Sequence, residues 1–326
     1  MKIKMFFLAA FALAMTFVFG SSETHSQAYP TKPLKLIVPA VPGSVPDIRA
    51  RQISAKLAEA LGQPVVIDNR PGGNSIIAAD AAAHAPPDGY TLFLGNNLSH
   101  SSNPWLFRNL PYRAEEDFIP VTLLTAGPLI LLVNPQIKAN SVSEFLELAR
   151  ASPGKLTLGI SAIGSPGHLL TERIKAARGV EISVVPYKST GAYIPDLIAG
   201  HISACMDFWV VAAGHVKSGK LKALAVSSAQ RLTAAPDVPT FAESGLPGID
   251  GGAWQGVFVP AGTPTRIVTR LQADISRVLG MPEIRDSIIE SGSQIGGNSP
   301  DEFSAFIRAD RATVGKIIRD AKIPVE

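Results

Sequence analysis

The chain has 326 residues, 17% of them charged, with a formal net charge of +3. Its 30 Lys and Arg residues are scattered rather than clustered, so nothing in the charge pattern calls for a nucleic acid or another polyanionic partner. A length of about 300 exceeds the usual single core, so two lobes are expected, and the lone cysteine, Cys205, excludes an internal disulfide and reads as a buried core residue.

Lys2 and Lys4 precede an apolar run from Met5 to Phe19, and the polar stretch after it ends in the small-x-small site Ser26-Gln27-Ala28. Residues 1–28 therefore read as a secretory signal peptide, with a mature chain starting at Tyr29 and located in the periplasm. A membrane anchor fits less well, because the run falls short of the ~20 apolar residues that span a bilayer. Leu34–Val38 reads as a short strand. Apolar positions Ala50, Ile53, Leu57 and Leu61 recur every three or four residues and predict a helix over 45–61, stopped by Gly62. A strand at 65–67, a small-residue helix at 76–84 and a strand at 90–94 follow.

After Asp117 the alternation restarts. Strands are expected at 129–133, 156–160, 182–185, 203–206 and 221–226, with helices near 142–151, 168–177, 193–199 and 210–218. A strand over 254–259 and helices near 265–279, 283–291 and 299–321 complete the chain; Ser141 with Glu144, and Ser299 with Glu302, have capping-box spacing. Alternating strands and helices demand crossovers, so the fold class expected is α/β, with two lobes that are each a mostly parallel sheet flanked by helices. Lobe 1 is placed at residues 29–124 plus about 250–326 and lobe 2 at about 125–249, with crossings near 120–130 and 226–258. The ligand cleft is expected between the carboxyl ends of the two sheets.

Several turns bring polar groups to those strand ends. Val41, Pro42, Gly43, Ser44, Pro46 and Asp47 shape the first turn and helix start. There Ser44 and Asp47 have capping-box spacing, and free amides at a helix N-terminus favour an anion. The same segment is equally a tidy helix start with no ligand. Ser161, Ile163, Gly164, Ser165 and His168 form a comparable turn in the second half, and Ser189, Thr190 and Gly191 follow the next strand beside Lys188, the one cation among them. Asn96, Asn97 and Ser99 add polar groups past the third strand, although each alone is ordinary loop chemistry. Phe208 and Trp209, next to Asp207, suggest an apolar wall, with a core position as the plainer reading. Such a site holds a carboxylate by amides, hydroxyls and water rather than by a bidentate arginine.

Catalysis is poorly supported. Gly159 and Gly164 around Ser161 are spaced one residue too far for a hydrolase elbow, and His168 follows Ser165 too closely on one helix start to favour base catalysis. The six histidines include no i,i+4 pair, and neither nucleotide-binding glycine motif occurs, so no metal or cofactor is expected. A binding protein is the reading that remains.

Ordered segments along the chain carry a resemblance. They are Tyr29-Pro-Thr-Lys-Pro33, Val38-Pro39 with Pro42-Gly43 and Asp47, Leu61-Gly-Gln-Pro-Val-Val66, Asn69-Arg-Pro-Gly72 and Pro87-Asp-Gly-Tyr-Thr-Leu92. Pro186-Tyr-Lys188, Gly219-Lys-Leu-Lys-Ala-Leu-Ala-Val226, Pro236-Asp-Val-Pro-Thr240, Glu243-Ser-Gly-Leu-Pro-Gly248 and Pro260-Ala-Gly-Thr-Pro264 follow. In these the chain resembles the solute receptors of tripartite tricarboxylate transporters, the Bug family. The resemblance implies a type II periplasmic-binding-protein fold that closes on a small organic carboxylate and hands it to membrane permease subunits; a sensor kinase is the alternative recipient, and a monomer is expected. It also implies that the Pro42–Asp47 turn holds one carboxylate while the Ser161–His168 and Ser189–Gly191 turns and the region after Asp207 shape the other end. Ser44, Asn74, Ser75, Ala162 and Ser189 stand where the family usually has glycine, which restricts the backbone there.

Overall fold

The computed structural model describes residues 29–187 and 190–326, with Thr190 described by its backbone alone. The signal-peptide reading of residues 1–28, the roles given to Lys188 and Ser189 and that of the Thr190 side chain lie outside the described residues. In chain order come β1 (Leu34–Val38), α1 (Val45–Leu61), β2 (Val65–Asn69), α2 (Ile76–Ala83) and β3 (Thr91–Asn96). A π-turn at Leu98–Ser102 runs into the short α3 (Asn103–Leu106), and the long β4 (Phe118–Pro128) leads straight into β5 (Ile130–Val133). Next are α4 (Val142–Ala151), β6 (Thr157–Ile160), α5 (Pro166–Arg178), β7 (Ser183–Pro186), α6 (Thr190–Ala199), β8 (Ala204–Asp207), α7 (Trp209–Lys217) and β9 (Lys222–Val226). The chain then adds β10 (Gly252–Pro260), α8 (Thr265–Leu279), α9 (Pro282–Glu290), the two-residue β11 (Gln294–Ile295) and α10 (Pro300–Asp320). Among the described residues no helix is long and apolar enough to cross a membrane.

Two sheets result, ordered β11-β4-β10-β3-β1-β2 and β7-β6-β8-β5-β9. In the first, β2, β1 and β3 are parallel, and β10 lies antiparallel between β3 and β4. In the second, β7, β6 and β8 are parallel, and β5 lies antiparallel between β8 and β9. Most strands of each sheet thus run one way, as expected, but the pairing is mixed. Connectivity is the reason: β5 follows β4 after one residue, and β10 is reached from β9 without a helix, and it is parallel neighbours that need a crossover. β4 was not legible as a long strand because it carries Pro120 and ends at Gly127-Pro128, and register shifts against β10 break its alternation.

The two crossings are bonded side by side. Ser227 donates its amide to Leu129 O (2.8 Å), its hydroxyl accepts the Leu129 amide (2.9 Å), and that hydroxyl donates to Gly251 O (2.5 Å). Gly252 is required there, since a Cβ would stand 2.0 Å from the Gly127 carbonyl oxygen. Successive residues of β5 feed opposite cores, Leu131 and Val133 on one face and Ile130 and Leu132 on the other, so the second sheet is covered on both sides. Cys205 lies in the second of these cores, as expected. The first sheet packs Ile37, Phe93, Phe118, Trp254 and Phe258 against Phe303 and Ile307 of α10.

The caps differ in detail. Ser299 and Glu302 form the complete reciprocal box. Ser141 caps α4 through the Glu144 amide, but the Glu144 carboxylate accepts from Asn140 instead. The box expected at Ser44 does not form: Ser44 donates its hydroxyl to Val41 O (2.7 Å), and Asp47 reaches one residue further back, to the Gly43 amide (2.8 Å). Pro42, which has no N–H, stands between the two residues so bridged.

Candidate functional site

Two small cavities lie where residues of both sheets meet. One, of about 60 Å³, is bounded by Ser161 and Ser165 at the start of α5, by Tyr193 of α6, by Asp207 and Phe208 after β8, and by Ala253 of β10. The other, of about 30 Å³, takes Val45 and Arg49 from the first turns of α1, Thr125 of β4 and Gln255 of β10, and again Phe208 and Ala253. Phe208 and Ala253 therefore border both cavities, which adjoin there.

Electrostatics differ between the two cavities. Arg49 reaches Ser287 Oγ and Ser291 Oγ, both at 3.3 Å, and no carboxylate pairs with it among the described residues. The amides of Val45 and Asp47, in the first turn of α1, have no acceptor within the helix, and the helix dipole adds partial positive charge there. At the other cavity Asp207 is 1% exposed. Its Oδ1 accepts the Phe208 amide (2.8 Å) and its Oδ2 the Tyr193 hydroxyl (3.1 Å). Burial pushes its pKa up to about 6, against the opposing effect of those two bonds.

Residues 49–323 match the tripartite tricarboxylate transporter family receptor. The chain belongs to that family. Protein BugT of Bordetella pertussis is 34% identical over 305 residues, 92% of each chain. The R. palustris protein Rpa4515, solved with adipate, superimposes with a TM-score of 0.87 at 36% identity, covering 91% of this chain and all of its own. MatC from Rhodopseudomonas palustris, with bound malate, gives a TM-score of 0.82 at 32% identity over 89% of this chain and 100% of that one. The resemblance read from the sequence is thereby borne out, and the family is one of receptors rather than enzymes.

Within this family member the predicted site residues divide. Ser161, Ser165, Asp207 and Phe208 line the first cavity. Val41, Pro42 and Gly43 are exposed on the turn before α1, while Ser44 and Pro46 are half-buried beside it. Asp47 is buried and holds the turn: besides the Gly43 amide it accepts Arg51 Nε (2.9 Å) and Asn69 Nδ2 (2.8 Å). Burial raises its pKa, but these bonds outweigh burial and lower it. Asp47→Ala is expected to leave the Gly43 amide and the Asn69 side chain without that acceptor, at a cost of about 1–3 kcal/mol. Urea denaturation checks this, and an unchanged midpoint would show that the turn is held by other groups.

Other predicted residues serve the scaffold. Asn96 and Ser99 bond each other, and the Asn97 Oδ1 accepts the Trp254 amide (2.7 Å), so these three are committed internally and line neither cavity. Ile163 O accepts Asn74 Nδ2 (3.3 Å) and Gly164 O accepts Ser102 Oγ (2.8 Å), which ties the second-half turn to segments beside the first sheet. Gly164, at φ +78°, has no room for a side chain, because a Cβ would sit 2.3 Å from Leu106 Cδ1. His168 is buried, with Nδ1 accepting the Gly164 amide (3.0 Å) and Nε2 3.6 Å from Glu172, so neither nitrogen serves Ser165. Trp209 is a core residue with Ile130, Leu132 and Val226, and Gly191 is exposed in the first turn of α6. Arg49, Tyr193, Ala253 and Gln255 also line these cavities and were not singled out from the sequence. For Arg49 a signal existed: with Val45 it forms an i,i+4 pair on one face of the first helix, beside the N-terminus suspected of binding an anion.

Proposed function

We propose that the chain is a periplasmic receptor that captures a small carboxylate-bearing organic acid between two lobes and delivers it to the membrane subunits of a tripartite transporter. The lobes are residues 29–124 with about 250–326, and about 125–249. The bonded crossings at Leu129, Ser227 and Gly251 are the place about which they move. The observation that carries the reading is Arg49, which no carboxylate pairs with among the described residues, beside first-turn amides of α1 that have no acceptor within the helix, in a cavity between the sheets. That arrangement attracts an anion and offers it directed donors. Adipate and malate in the two R. palustris structures support a carboxylate as that anion. Binding without chemical change fits a serine and a histidine that do not meet.

The test is calorimetric titration of the mature protein with a panel of mono- and dicarboxylates, beside Arg49→Gln. At ~100 times the dissociation constant a ligand should stabilise the fold by ~2.7 kcal/mol. Losing a charge-assisted contact in Arg49→Gln should weaken binding roughly tenfold to a hundredfold. No heat and no thermal shift with any acid would sink the reading.

A further inference from the structure

We infer that the captured acid carries an N–H or O–H donor, an ammonium or a hydroxyl, at the end away from its carboxylate, and that Asp207 is the group that selects it. This rests on the receptor reading above. Arg49 and Asp207 line adjoining cavities that share Phe208 and Ala253, so opposite charges stand at the two ends of one stretch of the site. Each Asp207 oxygen accepts one bond, and an ionised carboxylate has room for about four. Among the described residues no cation pairs with it. A buried carboxylate in that state is costly, and a solute that brings a donor offsets the cost. A second ionised carboxylate would instead place like charges together in a low dielectric. The titratable groups against Asp207 are Tyr193 from α6 and Cys205 from its own strand; both ionise only to anions, and burial raises the pKa of both, so near neutrality they stay uncharged and neither offsets its negative charge.

The experiment is calorimetry at about pH 7.5, where free dicarboxylates are doubly ionised, with two matched sets. One is 4-aminobutanoate, 4-hydroxybutanoate, butanoate and succinate; the other is 6-aminohexanoate, 6-hydroxyhexanoate, hexanoate and adipate. In at least one set the amino or hydroxy acid should bind about tenfold or more tightly than the dicarboxylate, and Asp207→Asn should shrink that gap to about threefold or less. A dicarboxylate bound as tightly as its donor-bearing partner, or a preference unchanged in Asp207→Asn, overturns the inference while leaving a carboxylate receptor. A preference lost in Lys188→Gln and kept in Asp207→Asn also overturns it, since the selecting charge then lies elsewhere. Silence from every acid overturns the receptor reading and this inference with it. Circular dichroism checks the fold; if Asp207→Asn does not fold, Tyr193→Phe, which frees an acceptor position on Asp207, should keep or widen the preference, and losing it overturns the inference.

Discussion

Phe258→Ala should cost about 3–5 kcal/mol, the range for removing a buried aromatic ring. Phe258 is 1% exposed, in the middle of β10. Its ring stacks on His100 at a centroid distance of 3.8 Å and lies 5.2 Å from Phe303, 6.2 Å from Phe118 and 6.4 Å from both Phe93 and Trp254. Apart from Trp254 on the same strand, these partners come from β3, the π-turn, β4 and α10, so the side chain links the far C-terminal helix to strands made much earlier. Truncation leaves a cavity that several elements would have to close together, and close packing resists that. A drop of the expected size in urea denaturation checks the claim. A loss below about 1 kcal/mol would mean that the cluster repacks freely.

Asp207→Asn should act in the opposite direction, and only above acid pH. The folded carboxyl is raised from its ordinary value of 3.8 to about 6, so burial disfavours the ionised form. Stability from this group is fully present below about pH 3.8 and is lost as pH rises through about 6. The loss approaches about 3 kcal/mol at neutrality, by the free energy of a two-unit shift. Asparagine never ionises, so the variant escapes the loss, and its advantage over the parent chain should grow between about pH 4 and pH 7. The full figure is reduced by whatever the new amide forfeits at the Tyr193 hydroxyl. Denaturation midpoints of both proteins along a pH series give the answer, and a difference that stays flat with pH would refute it.

The strand and helix alternation was legible because each element carries its own periodicity. β1, α1 and the β6-to-β9 run fell within one to three residues of their predicted places, the start of α6 being the furthest off. Asp207, Phe208, Ser161 and Ser165 could be singled out from the sequence as cavity-lining candidates because they lie at or just beyond strand ends, where an α/β cleft forms. What escaped depends on contacts between distant segments. Ala253 and Gln255 reach the cavities only because β10 inserts between β3 and β4, and nothing local to their sequence announces that. Asn97 and Ser99 went the other way: polar residues past a strand end looked available, yet the π-turn folds them inward onto Trp254 and Asn96.

The reversed strand of the first sheet also sets a timetable for synthesis. β3 and β4 share no ladder and are joined only through residues 252–260, so a ribosome must complete the entire β5-to-β9 segment before that sheet has its middle. Until then the nascent chain holds two open edges at once, and a chaperone that shields exposed strands would have its longest task on this half of the molecule.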